Sequence, residues 1–131
     1  MGVIVDTSVL IAFERNGQTL SPLTEIDGGA FISVVTVSEL LVGVHRADSA
    51  KRQVKRTAFV ETVLSQFQVL AFTMEIARVH ARLYANLSIA GQIIGAHDLI
   101  IAATAVNHGL SVLTGNTSEF ERVEGLTLLA P

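Results

Sequence analysis

The chain has 131 residues, of which 50% are hydrophobic, and its formal net charge is -3. This length predicts one domain, residues 1–131, with a substantial core, and the acidic balance argues against a general nucleic-acid-binding surface. The chain has no cysteine, so disulfides and thiolate metal sites are excluded, and a metal would need oxygen or imidazole ligands. No run approaches the roughly 18 uncharged apolar residues of a membrane span, and the N-terminal residues lack a secretory pattern. We therefore expect a cytoplasmic protein with no membrane contact.

Short apolar runs alternate with helical patterns from the start of the chain. The run from Val3 to Val5 predicts a buried strand that leads, after Asp6, into a helix. A second strand is predicted from Phe31 to Val35. Thr36 then opens a helix, because Thr36 and Glu39 have the spacing of a capping box.

The same alternation continues to the end of the chain and predicts a parallel sheet with helices on both faces. Because ligands bind beyond the carboxyl ends of parallel strands, we expect a site at that edge of the sheet. The later predicted elements are a helix from about Ser49 to Gln66 with Val60, Val63, Leu64 and Phe67 on one face, a strand from Gln68 to Phe72, a helix with Ile76, Val79, His80, Leu83 and Leu87 toward the core, a helix from about His97 to Asn107, a strand from Ser111 to Leu113 and an edge strand from Leu126 to Leu129.

Three carboxylates and one carboxamide fall at this predicted edge: Asp6, Glu39, Asp98 and Asn116. Each has a structural explanation by itself, as a helix cap, a capping-box partner, a carboxylate favoured by a helix dipole or a turn residue. Together, three like charges repel one another unless protons or a cation compensate them. Oxygen ligands of this kind suit Mg²⁺ or Mn²⁺, which can activate water for phosphodiester hydrolysis. The neighbouring hydroxyls either orient the carboxylates or cap helices, and they are Thr7, Ser8, Thr36, Ser38 and Thr114.

Basic residues are concentrated in one short part of the chain. Five of the nine lysines and arginines occur between residues 46 and 56, namely Arg46, Lys51, Arg52, Lys55 and Arg56. Such a run is usually the solvated face of a helix. The alternative is a set of contacts to phosphate groups.

Four segments in this order resemble the PIN domain of VapC-type toxin ribonucleases, which belong to type II toxin–antitoxin systems. They read Val-Asp6-Thr-Ser-Val-Leu-Ile, Ser-Glu39-Leu-Leu-x-Gly, Ile-Gly-Ala-His-Asp98-Leu-Ile-Ile-Ala-Ala and Leu-Thr-Gly-Asn116-x-x-Glu-Phe, and the resemblance covers essentially the whole chain. It implies a three-layer sandwich with a five-stranded parallel sheet in the order 3-2-1-4-5. It also implies that Asp6, Glu39 and Asp98 occupy the three acidic metal-site positions, with Asn116 at the fourth.

The resemblance further implies a Mg²⁺- or Mn²⁺-dependent endoribonuclease that cuts RNA with metal-activated water. Its implied partners are an RNA substrate, an inhibitory VapB-like antitoxin and a second copy of the chain in a homodimer. Asn116 removes one negative charge where many relatives have Asp. Glu119 either completes the site or caps a last helical turn, and we favour the cap. His97 is either a metal ligand or general base, or simply a packed or solvent-facing histidine, whereas His45, His80 and His108 have no spacing that suggests a shared site.

Other protein classes with a similar pattern lack the required residues. A receiver domain needs an acceptor Asp after the third strand and a Lys after the fifth, but Phe72 is followed by Thr-Met-Glu and the only lysines are Lys51 and Lys55. A haloacid-dehalogenase-like phosphatase needs a second Asp where Ser8 stands. The remaining alternative is a PIN-like module that binds RNA or a protein and does not cleave.

Overall fold

The computed structural model describes residues 2–131, and a parallel sheet lies at its centre. Within these residues the sheet has five strands in the order β3-β2-β1-β4-β5, as predicted. The order reverses between β1 and β4, so the topological switch point lies there. The strands are β1 (Val3–Val5), β2 (Ala30–Ser33), β3 (Gln68–Leu70), β4 (Ser111–Leu113) and β5 (Leu128–Leu129).

Helices cover both faces of the sheet and complete the predicted three-layer sandwich. Successive side chains of β1 point to opposite faces, so Val3 and Val5 join one core cluster and Ile4 joins the other. No helix in residues 2–131 is long and apolar enough to cross a membrane. The helices are α1 (Thr7–Arg15), α2 (Ser21–Thr24), α3 (Val34–His45), α4 (Ala50–Gln66), α5 (Met74–Ile89), α6 (Ala96–His108) and α7 (Thr117–Phe120).

The second strand ends earlier than predicted, and the predicted capping box at Thr36 and Glu39 is wrong. Ser33 is the N-cap of α3, and its hydroxyl accepts a hydrogen bond of 3.1 Å from the N–H of Val35. This side chain supplies one of the acceptors that a helix start lacks, so the helix begins at Val34 in spite of the β-branched residues there. Thr36 is buried inside the first turn, and Glu39 lies in the second turn.

Other predictions differ from the structure in α4, β3 and α5. Leu64 was predicted to face the core with Val60 and Val63, but its side chain is 37% exposed. β3 ends at Leu70, two residues before its predicted end at Phe72, whose ring makes a T-shaped contact with the ring of His80 at a centroid distance of 5.8 Å. His80, predicted to face the core, is only half-buried.

Replacing either of two glycines in the helices by alanine should change the free energy of unfolding, but in opposite directions. Gly109 ends α6 at a φ of 66°, where a Cβ is strained, so Gly109→Ala should lower the free energy of unfolding by about 1–2 kcal/mol. Gly43 lies inside α3 with no atom within 4 Å of an added Cβ, so Gly43→Ala should raise it by about 0.5–1 kcal/mol. Urea unfolding of both variants measures this, and a change of the same sign in both would contradict the helix boundaries given above.

Candidate metal centre at the carboxyl edge of the sheet

Asp6 lies at the switch point, directly after β1. Its N–H donates to the carbonyl of Leu113 in β4 at 2.9 Å, so the backbone of both strands fixes its position. The carboxylate is buried and occupies the N-cap position of α1, but it caps no helix N–H. Instead, its Oδ2 accepts hydrogen bonds of 2.8 Å from the hydroxyls of Ser8 and Thr114. The two hydroxyls hold one carboxylate oxygen, so the orientation of the Asp6 side chain is set from both sides.

Glu39 reaches the same edge from α3. Its Oε1 accepts a hydrogen bond of 2.8 Å from the hydroxyl of Thr7, which also lies 3.0 Å from the hydroxyl of Thr36. Its other oxygen lies 3.6 Å from Nδ1 of His97, whose side chain is half-exposed. Thr7 follows Asp6 in the chain, so the start of α1 positions two of the predicted carboxylates at once.

Asp98, in the first turn of α6, shares a hydrogen bond with the carboxyl group of Glu119 in α7. Burial raises the pKa of Asp98 to about 7, together with this hydrogen bond and the negative charges of Asp6, Glu119 and Glu39. The hydrogen bond to Asp98 lowers the pKa of Glu119. The proton therefore resides on Asp98 below pH 7, and Glu119 is the ionised member of the pair.

Asn116 joins the site through its side chain. Its Nδ2 donates to Glu119 at 3.3 Å, and its backbone N–H donates to the hydroxyl of Thr114 at 2.9 Å. The favoured capping role of Glu119 is wrong, because that role would pair its carboxylate with the backbone N–H of Asn116. Glu119 is the acidic residue that sequence reasoning undervalued. Its spacing from Asn116 fits a helix cap and a shared site equally well, so the sequence signal was ambiguous.

Three of the five hydroxyls predicted to orient the carboxylates bind one directly, and a fourth, that of Thr36, contacts the hydroxyl of Thr7. Thr7 binds Glu39, and Ser8 and Thr114 bind Asp6. Ser38 is exposed and supports neither carboxylate.

The donor set at this edge has the chemistry that a hard divalent cation requires. Asp6, Glu39 and Glu119 each raise the pKa of Asp98, so the edge carries surplus negative charge that a cation would offset. Among residues 2–131, no three histidine, aspartate or glutamate side chains are placed closely enough to hold a metal ion together. Binding of Mg²⁺ would therefore draw these carboxylates closer together, with water molecules completing its coordination.

The buried hydroxyl of Thr114 should be worth more to stability than a buried hydroxyl elsewhere in the same fold. Thr114→Val removes a donor to Asp6 and the acceptor of the Asn116 N–H, so we expect the free energy of unfolding to fall by about 1–3 kcal/mol. Thr104→Val is the matched control, because that buried hydroxyl binds only the carbonyl of Ile100 in its own helix. Urea unfolding compares the two, and an equal loss in both would show that Thr114 does not support Asp6.

The fold and the edge together define a class of protein. The chain is a parallel α/β protein with an acidic, oxygen-donor site at its topological switch point. The PIN domain family matches residues 3–126. The chain is 42% identical over 129 residues to Ribonuclease VapC1 of Rickettsia felis, covering 98% of this chain and 96% of that protein. It is 39% identical over 129 residues to Ribonuclease VapC of Rickettsia bellii, with the same coverage.

Solved structures agree with the sequence relatives. VapBC-5 of Mycobacterium tuberculosis, a member of the VapBC family of toxin-antitoxin systems, superposes with a TM-score of 0.79 at 32% identity. The match covers 98% of this chain and 96% of that chain. The chain belongs to the PIN domain family, and within it to the VapC type.

Proposed function

We propose that this chain is a Mg²⁺-dependent endoribonuclease toxin, with Mn²⁺ able to substitute, that a VapB-like antitoxin inhibits. The observation that carries the proposal is the convergence of Asp6, Glu39, Asp98 and Glu119 at the switch point, where hydroxyl groups fix the side chains of Asp6 and Glu39. Relatives at 42% and 39% identity are named ribonucleases, which supports RNA as the substrate. Carboxylates crowded in this way cost stability, and a site for a cation is a physical reason to keep them together.

In this proposal Asp6, Glu39 and Asp98 hold the metal, and Asn116 and Glu119 complete the edge. When bound, Mg²⁺ supplies an activated water and stabilises the charge that develops on the phosphate oxygens. Thr114 and Ser8 orient Asp6, and Thr7 orients Glu39, so these carboxylates are positioned before RNA arrives.

Asp98 and Glu119 share one proton in this arrangement. The proton lies on Asp98 below pH about 7 and must leave before both carboxylates can face a cation. Asn116 donates its amide to Glu119 and so keeps that side chain next to Asp98. Asn at this position can supply an oxygen ligand without adding a further negative charge beside Glu119.

The proposed partners are an antitoxin and a second copy of the chain, in the cytoplasm. The similarity to VapBC-5, a member of a toxin-antitoxin family, supports the antitoxin. Exposed apolar side chains support further protein contacts, since Met74 is 72% and Ile89 is 88% exposed. A separate apolar groove, on the other face of the sheet, is lined by Val9, Phe13, Leu23 and Ile26.

The experiment that tests the proposed function is cleavage of structured cellular RNA by the purified chain, freed of any copurified protein. Discrete fragments are expected with Mg²⁺ or Mn²⁺, none with excess EDTA, and recovery when Mg²⁺ is restored. Undiminished cleavage in EDTA would refute the metal-dependent mechanism. RNA that binds but stays intact in every condition would instead favour the non-cleaving RNA-binding module.

A further inference from the structure

A second feature lies next to the acidic edge: a groove of about 400 Å³ between α1, α3 and α4. Four of the nine basic residues of the chain line it, although the net charge is -3. They are Arg15 from the end of α1, and Arg52, Lys55 and Arg56 from α4. Two carboxylates, Glu14 and Glu39, also line the groove. The basic run seen in the sequence is therefore divided, because Arg46 and Lys51 do not line the groove.

One groove arginine is held in position by a neighbouring helix, and a second pairs with an exposed carboxylate. Arg56 is half-buried and donates from Nη1 to the carbonyl of Gly43 at 2.8 Å, which joins α4 to α3. Arg52 binds both oxygens of Asp48 through Nη1, at 2.6 and 2.7 Å. A guanidinium has five N–H donors, so each arginine keeps donors that a phosphate can use. Preorganised guanidinium groups lose less entropy when they bind a phosphate than free lysine side chains do.

The groove and the acidic edge are continuous, because Glu39 belongs to both. Its carboxylate accepts from Thr7 at the edge, and the same residue lines the groove with Arg15, Lys55 and Arg56. An RNA strand that reaches the carboxylates is repelled by their charge unless nearby cations attract its other phosphates. The apolar floor of the groove includes Phe59, a partly buried aromatic residue of the kind on which bases stack.

From this placement we propose that the groove binds the phosphate backbone of single-stranded RNA beside the bond that is cut, with Arg15, Arg52, Lys55 and Arg56 as the contacts. The inference rests on the proposed ribonuclease function, and it states where the RNA substrate lies as it enters the site. An acidic protein segment is the competing occupant. The shared Glu39 favours RNA, because a substrate must pass from the groove to the carboxylates.

The test compares two pairs of substitutions that remove the same charge. The groove pair is Arg52→Gln with Lys55→Gln, and the control pair is Arg46→Gln with Lys51→Gln. Arg56 is left unchanged because its bond to Gly43 joins two helices. Binding of a labelled single-stranded RNA of about 12 nucleotides is measured by fluorescence anisotropy at several salt concentrations. An Asp98→Asn background keeps the RNA intact, and cleavage is measured with Mg²⁺ in the chain that retains Asp98.

The groove pair is expected to weaken RNA binding at least tenfold and to reduce the slope of log K against log salt by about 1.4, since each lost contact contributes about 0.7. The control pair should change affinity less than about twofold. In the cleavage assay the KM of the groove pair should rise more than its kcat falls. If the groove pair behaves as the control pair in a chain that still cleaves RNA, the proposed phosphate-binding role of the groove is refuted and the ribonuclease function stands. Normal RNA affinity with weakened antitoxin inhibition would assign the groove to the acidic segment and overturn the RNA path.

A chain that cleaves no RNA separates the two proposals. If its RNA binding still depended on the groove pair and not on the control pair, the phosphate-binding groove would stand and the ribonuclease would fall. If that chain bound no RNA either, both would be refuted.

Discussion

Asp98→Asn is expected to lower RNA cleavage by about a hundredfold or more and, at pH 8 in EDTA, to make the protein more stable. The loss of cleavage follows because the amide removes one of the charges proposed to hold the metal. The gain in stability follows because Asp98, when ionised, is buried beside Glu119 and near Asp6 and Glu39. An asparagine amide can donate to Glu119 without adding charge.

The pH dependence of this gain has a definite sign. Its environment raises the pKa of Asp98 from 3.8 to about 7 in the folded protein. The stabilisation that protonated Asp98 gives is therefore fully present below pH 4 and is lost as the pH rises through 7. The stability difference between Asp98→Asn and the unsubstituted protein should therefore grow between pH 4 and 7 and then level off. We expect about 1 kcal/mol at pH 8, since solvent screens a site that is only partly buried. Urea unfolding in EDTA from pH 4 to 8 measures the difference, and a difference that does not change with pH would contradict this origin.

Asp6→Asn should cause a comparable loss of cleavage but should not stabilise the protein. Asp6 is buried and accepts hydrogen bonds from Ser8 and Thr114. These bonds offset the cost of burying its negative charge, whereas the neighbours of Asp98 add to that cost. The substitution weakens both charge-assisted bonds and removes a negative charge from the start of α1. We expect the free energy of unfolding at pH 8 in EDTA to fall by about 1 kcal/mol.

The two substitutions are matched controls for each other, because each replaces a carboxylate by its amide at the same edge. Cleavage assays with Mg²⁺ and urea unfolding in EDTA should be carried out on both proteins side by side. Loss of cleavage in both with stability changes of opposite sign is the expected pattern. Full cleavage by Asp6→Asn would remove that residue from the site.

The strand order was implied by the resemblance to VapC-type PIN domains, whereas the acidic edge was predicted from the residues themselves for a simple physical reason. Apolar runs such as Val3–Val5 and Ser111–Leu113 are short and bounded, and parallel strands place the residues that follow them at one edge. Asp6 comes directly after one such run and Asn116 three residues after the other, so the prediction that these two side chains lie close together did not depend on the exact ends of helices. The Gly109 stop was readable for a similar reason, since glycine readily adopts the left-handed conformation found there.

Features that depend on competition between neighbouring side chains were not readable. Ser33 and Thr36 are both good helix caps, and only packing decides that Ser33 is used. Glu119 could pair with the backbone of Asn116 or with Asp98, and in the fold it forms the hydrogen bond with Asp98. Arg15 is far from Arg52 in sequence, so its place in the basic groove appears only when α1 packs beside α3 and α4.

Binding of Mn²⁺ at pH 8, measured by calorimetry, tests the central claim most directly. The unsubstituted chain should be compared with Asp98→Asn and with Glu124→Gln, which removes the same charge from an exposed position outside the site. We predict binding by the unsubstituted chain and by Glu124→Gln, and at least a tenfold weaker affinity for Asp98→Asn. Equal affinity in all three proteins would contradict a metal centre at the carboxyl edge of the sheet.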